Sequence, residues 1–150
     1  MARSYSCVWG GTGTQSATVA YGTLTGAATV RPKVYDILVG SDATPADNAA
    51  KFVLQRSTAT GTTPTTVTPA PIDPGDPSSL SSFASTWATA PSFTLAIFQW
   101  AQNQRATFRW VAAPTKELVL PNAANAGLNF SVPVVAGSAV NWVFTLEFEE

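Results

Sequence analysis

The last stretch of the chain alternates without a break. Val140, Trp142, Phe144, Leu146 and Phe148 are apolar, and Asn141, Val143, Thr145, Glu147 and Glu149 stand between them, a period of two held over ten residues. That is the period of a strand with one buried face, because successive side chains of an extended backbone point to opposite sides. A helix would scatter the five large residues around its circumference. Leu128, Phe130 and Val132 alternate with Asn129 and Ser131 in the same way. Lys51 to Ser57 sets Phe52 and Leu54 on one side, and Gln104 to Ala112 sets Phe108 and Trp110 against Thr107, Arg109 and Val111. Val34 to Val39, after Pro32, is apolar on both faces, as in a buried strand. Phe93 to Ala101 carries Phe93, Leu95 and Ile97 on one face and Phe98 and Trp100 on the other. Glu117 to Leu120 is a short candidate. Tyr5 to Trp9 and Ala17 to Tyr21 are two more, with Gly10-Gly11-Thr12-Gly13 as the turn between them.

About nine short strands separated by Gly, Pro, Asn and Asp predict an antiparallel sandwich or barrel. Residues 1–13 are open between an arm and an edge strand. One helix is expected, from Ser78 to Thr86: Asp76 could cap it, Pro77 suits a first helical position, and Leu80, Phe83 and Trp87 fall near one stripe. Residues 58–79 break the alternation, with Pro64, Pro69, Pro71, Pro74, Pro77 and seven threonines. Proline removes a backbone donor and stiffens φ, so this stretch reads as a long semi-rigid loop and not as a central strand. It either passes between the sheets as a surface excursion or lies on a neighbouring subunit; Pro69, Pro71, Asp73, Pro74 and Asp76 are the candidate contacts with such a neighbour.

Composition changes the picture by what it omits. The 150 residues include no histidine, one cysteine, eight basic and nine acidic side chains. A solitary soluble domain normally covers itself with Lys, Glu, Asp and Arg. A chain that leaves them out is expected to be covered by copies of itself or by a larger assembly. The length suits a single domain spanning 1–150. A net charge of −1 supplies no basic footprint for nucleic acid, no run approaches the ~20 apolar residues of a membrane helix, and the opening residues form no apolar leader. Neither nucleic acid nor membrane is therefore an expected partner.

The chemistry is equally sparse. Without histidine, zinc ligation and a base for Cys7 are missing, so Cys7 reads as a small buried hydrophobe in a strand. Asp73 with Asp76, and Asp42 with Asp47 and Asn48, lack the spacing of a calcium loop; Asp in a Pro/Gly turn more often accepts its own backbone N–H. Asp36 is the one acid inside an apolar strand, where a paired Arg or Lys is expected. Asn129-Phe130-Ser131 matches a glycosylation sequon. No phosphate loop, nucleophile elbow or dinucleotide fingerprint appears. No catalytic residue, metal or cofactor is expected, and the chain is expected not to be an enzyme. Five tryptophans, Trp9, Trp87, Trp100, Trp110 and Trp142, read mainly as core. Strands 93–101 and 104–112 carry bulk on both faces, which makes Trp100, Phe108 and Trp110 candidates for an oligomer contact.

Two blocks carry a resemblance. Arg109-Trp110-Val111-Ala112-Ala113-Pro114, with Glu117-Leu118-Val119-Leu120-Pro121 and Asn125-Ala126-Gly127-Leu128, is the first. Arg31-Pro32-Lys33-Val34-Tyr35-Asp36, with Gly40 to Asn48, is the second. Over roughly residues 28–150 the chain resembles small jelly-roll virion proteins of tailed bacteriophages, of the head decoration or cement kind. The resemblance implies an all-β, antiparallel jelly-roll sandwich of about eight to nine strands with at most one short helix. It also implies a homotrimer on the outer capsid surface of a virion, with the major capsid protein as partner. A rival expectation is a receptor- or glycan-binding jelly-roll module of a phage fibre or head appendage, which would use exposed aromatics.

Overall fold

The structure is a computed structural model that describes residues 2–13, 20–43, 45–59, 61–135 and 140–150, and all of its regular structure is β. The strands in chain order are β1 (Ser4–Gly13), β2 (Ala20–Thr25), β3 (Lys33–Ala43), β4 (Ala49–Ala59), β5 (Thr62–Val67), β6 (Ala70–Pro71), β7 (Ser82–Thr89), β8 (Ser92–Asn103), β9 (Phe108–Val111), β10 (Leu118–Val119), β11 (Gly127–Val135) and β12 (Val140–Glu149).

Four strands form the body of each sheet. β1, β12, β3 and β9 lie side by side in one, and β2, β11, β4 and β8 in the other, every pairing antiparallel. Among these eight, consecutive strands switch sheets at every step except from β4 to β8. That is jelly-roll order: hairpins folded over so that neighbours in sequence cap opposite faces of one core. The remaining strands are additions. β5 and β7 continue the β4/β8 ribbon, since Ala59 pairs with Ser92 and Thr62 with Thr89. β6 edges β1, and β10 pairs with β3 beside Val34.

The core lies between the sheets and follows the alternation. Val140, Trp142, Phe144, Leu146 and Phe148 are all buried, while the residues between them are half-exposed. Trp9 sits at the centre. It stacks on Phe144 at 4.9 Å, meets Phe130 edge-on at 5.4 Å and tilts against Phe83 at 4.4 Å. Gly22 makes room for this cluster, because a Cβ there would come within 2.6 Å of Phe83 and 2.7 Å of Trp9. Each such side chain removed from water contributes on the order of 2 kcal/mol.

β3 shows how a strand with apolar residues on both faces is reconciled with a single core. Glu147 pairs with Asp36 but Phe148 pairs with Val34, so Tyr35 is an extra residue and the strand bulges there. The bulge turns Val34 inward with Ile37 and Val39, although an even strand would place them on opposite faces.

Several expectations are corrected. There are twelve strands among the described residues, above the expected eight to nine. Gly10 to Gly13 form no turn; they extend β1 and pair with Val143 to Val140, because β12 is long enough to supply their hydrogen bonds. Of the two readings for residues 1–13 the structure takes the edge strand and not the free arm: Ser4–Gly13 pairs along β12 on one side, and on the other only Tyr5 and Ser6 pair, with β6. Ser78 to Thr86 is not a helix. Phe83 enters the core, Leu80 is 61% exposed, and β7 starts at Ser82, since pairing with β2 and β5 outweighs the local capping signal. The stretch 58–79 is not one loop, as it holds β5 and β6. Both lie at sheet edges, where the missing N–H of Pro64 or Pro71 breaks no ladder. Of the candidate strand Ala17 to Tyr21, residues 17–19 lie outside the described residues.

Candidate interaction surface

β8 ends one sheet and β9 borders the other, and the open side of the sandwich between them is closed by aromatic rings. Phe98, Trp100, Phe108 and Trp110 project inward because their partners Leu54, Phe52, Val39 and Ile37 do. Trp100 is held between two rings: Phe52 stacks on it at 5.0 Å and Phe108 at 4.4 Å. Phe98 reaches both Phe108 and Trp110 at 6.1 Å. The indole N–H of Trp100 donates to Gln102 Oε1 at 3.0 Å, and Gln102 Nε2 donates to the Ala106 carbonyl at 3.0 Å, which latches the β8–β9 loop. Trp100, Phe108 and Trp110 are therefore brought together, half-buried against their own core.

The outer faces beside this seam expose apolar side chains, with Arg109 as the one charged residue on β9 and none on β8. Leu95 is 76% exposed and Ile97 38%, with exposed Gln99 and Ala101 further along β8; on β9, Val111 is 57% exposed. No charged residue occurs between Ser92 and Asn103.

The proline-rich candidates lie elsewhere, along β1. Pro69 is buried and Pro71 half-buried, while Asp73 and Pro74 are exposed and Asp76 is half-exposed. Ile72 N–H donates to the Ser4 carbonyl at 2.9 Å. Asp73 forms a turn, accepting Gly75 N–H at 2.8 Å on Oδ1 and Asp76 N–H at 3.0 Å on its carbonyl. Asp76 meets Arg3 at 3.5 Å. This segment is bonded to its own chain and displays Asp73, Pro74 and the 50%-exposed Ile72 outward.

Asp36 has the cation expected for it. Arg109, 73 residues away in sequence but adjacent on β9, forks it through Nε at 3.1 Å and Nη2 at 2.5 Å. Hydrogen bonding to Asp36 raises the guanidinium's pKa. Leu38, Thr145 and Glu147 complete a shallow pocket of about 280 Å³ around the pair. Cys7 is fully buried in β1, and burial pushes its thiol up to about 12, so it is a neutral packing group. Asp47 accepts a hydrogen bond from Asn103 Nδ2, and no group of three or more Cys, Asp or Glu gathers as metal ligands among the described residues. Asn129 of the sequon is fully buried and accepts Thr23 Oγ1–H at 2.8 Å, which closes it to glycosylation in the folded chain.

Two side chains with structural roles escape sequence reading. Gln104 is fully buried and accepts Ala46 N–H at 2.9 Å on Oε1, while its backbone N–H donates to Asn48 O at 2.9 Å. It pins the β3–β4 and β8–β9 connections together. Glu150 accepts Leu80 N–H at 2.7 Å, Ser81 N–H at 3.2 Å and the Ser81 hydroxyl at 2.6 Å. The only signal for this clip is the serine cluster Ser78-Ser79-Ser81-Ser82, which gives no hint of its distant acceptor. No protein-family model, no curated protein and no solved structure matches this chain.

Proposed function

We propose that the chain is a non-enzymatic structural protein of a phage particle, bound to the outer capsid surface as a decoration or cement protein that stabilises the shell. The observation that carries this reading is the charge-free, apolar outer face of β8, with Leu95 and Ile97 exposed beside an aromatic seam. Exposed apolar surface of this kind is favourable only when something covers it. A protein that binds the assembled lattice and not the free subunit favours assembly by mass action. A homotrimer matches local threefold positions of an icosahedral shell, and the rims of Trp100, Phe108 and Trp110 lie where such a contact would be rooted. Pro74, Asp73 and Ile72, displayed by a segment already fastened to its own β1, would meet a shell subunit at little ordering cost.

The glycan-binding reading draws less support. A sugar needs an open aromatic face, and both faces of Trp100 are taken by Phe52 and Phe108. The deciding experiment is the copy number of this chain in purified particles relative to the major shell protein, by quantitative mass spectrometry. A number comparable to the shell protein supports decoration. A handful of copies per particle overturns it in favour of a fibre or vertex component.

A further inference from the structure

The basic side chains divide into paired and unpaired. Arg3, Lys33 and Arg109 meet Asp76, Glu149 and Asp36, while Lys51, Arg105 and Lys116 stand exposed to solvent. Arg31 and Arg56 differ from both groups. They line one open pocket of about 430 Å³ beside the start of β11, and no carboxylate is among its lining residues. Arg56 stands opposite Leu128, where the β4–β8 register shifts, and Thr94 Oγ1–H holds its carbonyl at 3.3 Å. Its Nη1 is buried with no hydrogen-bond partner, and burial lowers the guanidinium's pKa. Arg31 is anchored at the same pocket by Nε–H donation to the Leu120 carbonyl at 3.4 Å. A buried cationic donor without an acceptor is costly to hold, and no acid in the pocket offsets that cost.

We propose that this pocket binds a carboxylate through Arg31 and Arg56, and that the carboxylate is the side chain of an Asp or Glu on an adjacent protein subunit. The second clause rests on the decoration reading; the first does not. A guanidinium fork matches the two oxygens of a carboxylate. The hydroxyl of Thr58 lies beside them, and Val119 and Pro121 offer apolar wall for the methylenes of an acidic side chain.

The test titrates the isolated protein with glutarate at constant ionic strength, with chloride as the control and phosphate as the competing oxyanion. Thermal stability and the Arg56 Nε–H resonance are followed. Saturable stabilisation by glutarate is expected, weakened about tenfold or more in Arg31→Gln and in Arg56→Gln. Arg31 is exposed, so Arg31→Gln reports on the pocket even if Arg56→Gln folds poorly. No saturable response, or an equal response in wild type and Arg31→Gln, overturns the site. Tighter binding of phosphate than of glutarate overturns the carboxylate assignment. On purified particles, Arg31→Gln is expected to be retained about tenfold less well. Full retention overturns the neighbouring side chain as the source and leaves a free carboxylate ligand. Absence of the chain from particles would overturn the decoration reading, while the glutarate titration still decides the pocket.

Discussion

Glu150 and Cys7 act on the fold through opposite physics. Glu150 gathers two backbone N–H groups and the hydroxyls of Ser79 and Ser81 just before and at the start of β7, so one carboxylate satisfies four donors. Hydrogen bonds to a charged acceptor are worth more than neutral ones. Glu150→Ala is expected to cost about 2 kcal/mol in urea denaturation, with faster amide exchange at Leu80 and Ser81; unchanged exchange there would show that the clip is dispensable. Cys7 contributes through exclusion of charge. Its thiol pKa rises from about 9 to about 12 in the folded chain. Below about 9 both states keep the proton and stability is complete; above it the unfolded chain loses the proton first. Stability should then fall by up to about 1.4 kcal/mol per pH unit until the folded thiol also ionises. Tyr5, whose pKa is also raised by burial, acts with the same sign. Urea midpoints measured from pH 8 upward should show a shallower alkaline decline in Cys7→Ala, and an unchanged slope would exonerate the thiol.

At the level of elements, the seam between β8 and β9 is only half written in the sequence. Alternation identifies both strands, and on β9 and from Phe98 onward in β8 it also identifies which residues share a face; between Ser92 and Phe98 the β4–β8 register shifts three times and interrupts it. Alternation does not say which face is the core, because both faces of β8 carry large apolar residues. Tertiary pairing decides it: opposite Phe52 and Leu54, Trp100 and Phe98 turn inward, and Leu95 and Ile97 are left out. Trp100→Ala should therefore destabilise the monomer by about 3 kcal/mol, toward the low end for an aromatic truncation because the rim is exposed, as read by thermal unfolding. Ile97→Lys should leave monomer stability nearly unchanged. β7 shows the reverse situation. Its capping pattern suggests a helix, and only the waiting edges of β2 and β5 make it a strand.

For the whole molecule, the proposed assembly has a direct signature. Under the decoration reading the isolated chain sediments as a trimer, and the double substitution Leu95→Lys and Ile97→Lys yields monomers with an unchanged far-UV spectrum. A wild-type monomer across the concentration range would remove β8 as the self-contact. The fold itself tolerates such surface changes because its core, from Tyr5 to Phe148, is built from residues of both sheets and does not depend on the outer face of β8.

The sequence by itself determined the class of fold, most of the strands and the identity of the core. Those rest on local alternation and on the burial of large apolar groups, which are visible residue by residue. It also determined that Asp36 would need a cation and that Cys7 would be inert. The tertiary structure alone decided the bulge at Tyr35, the Glu150 clip, the Gln104 staple and the placing of Arg31 and Arg56 on one pocket. Each joins residues far apart in the chain, and a contact of that kind is chosen by which strands become neighbours, a choice that no local pattern encodes.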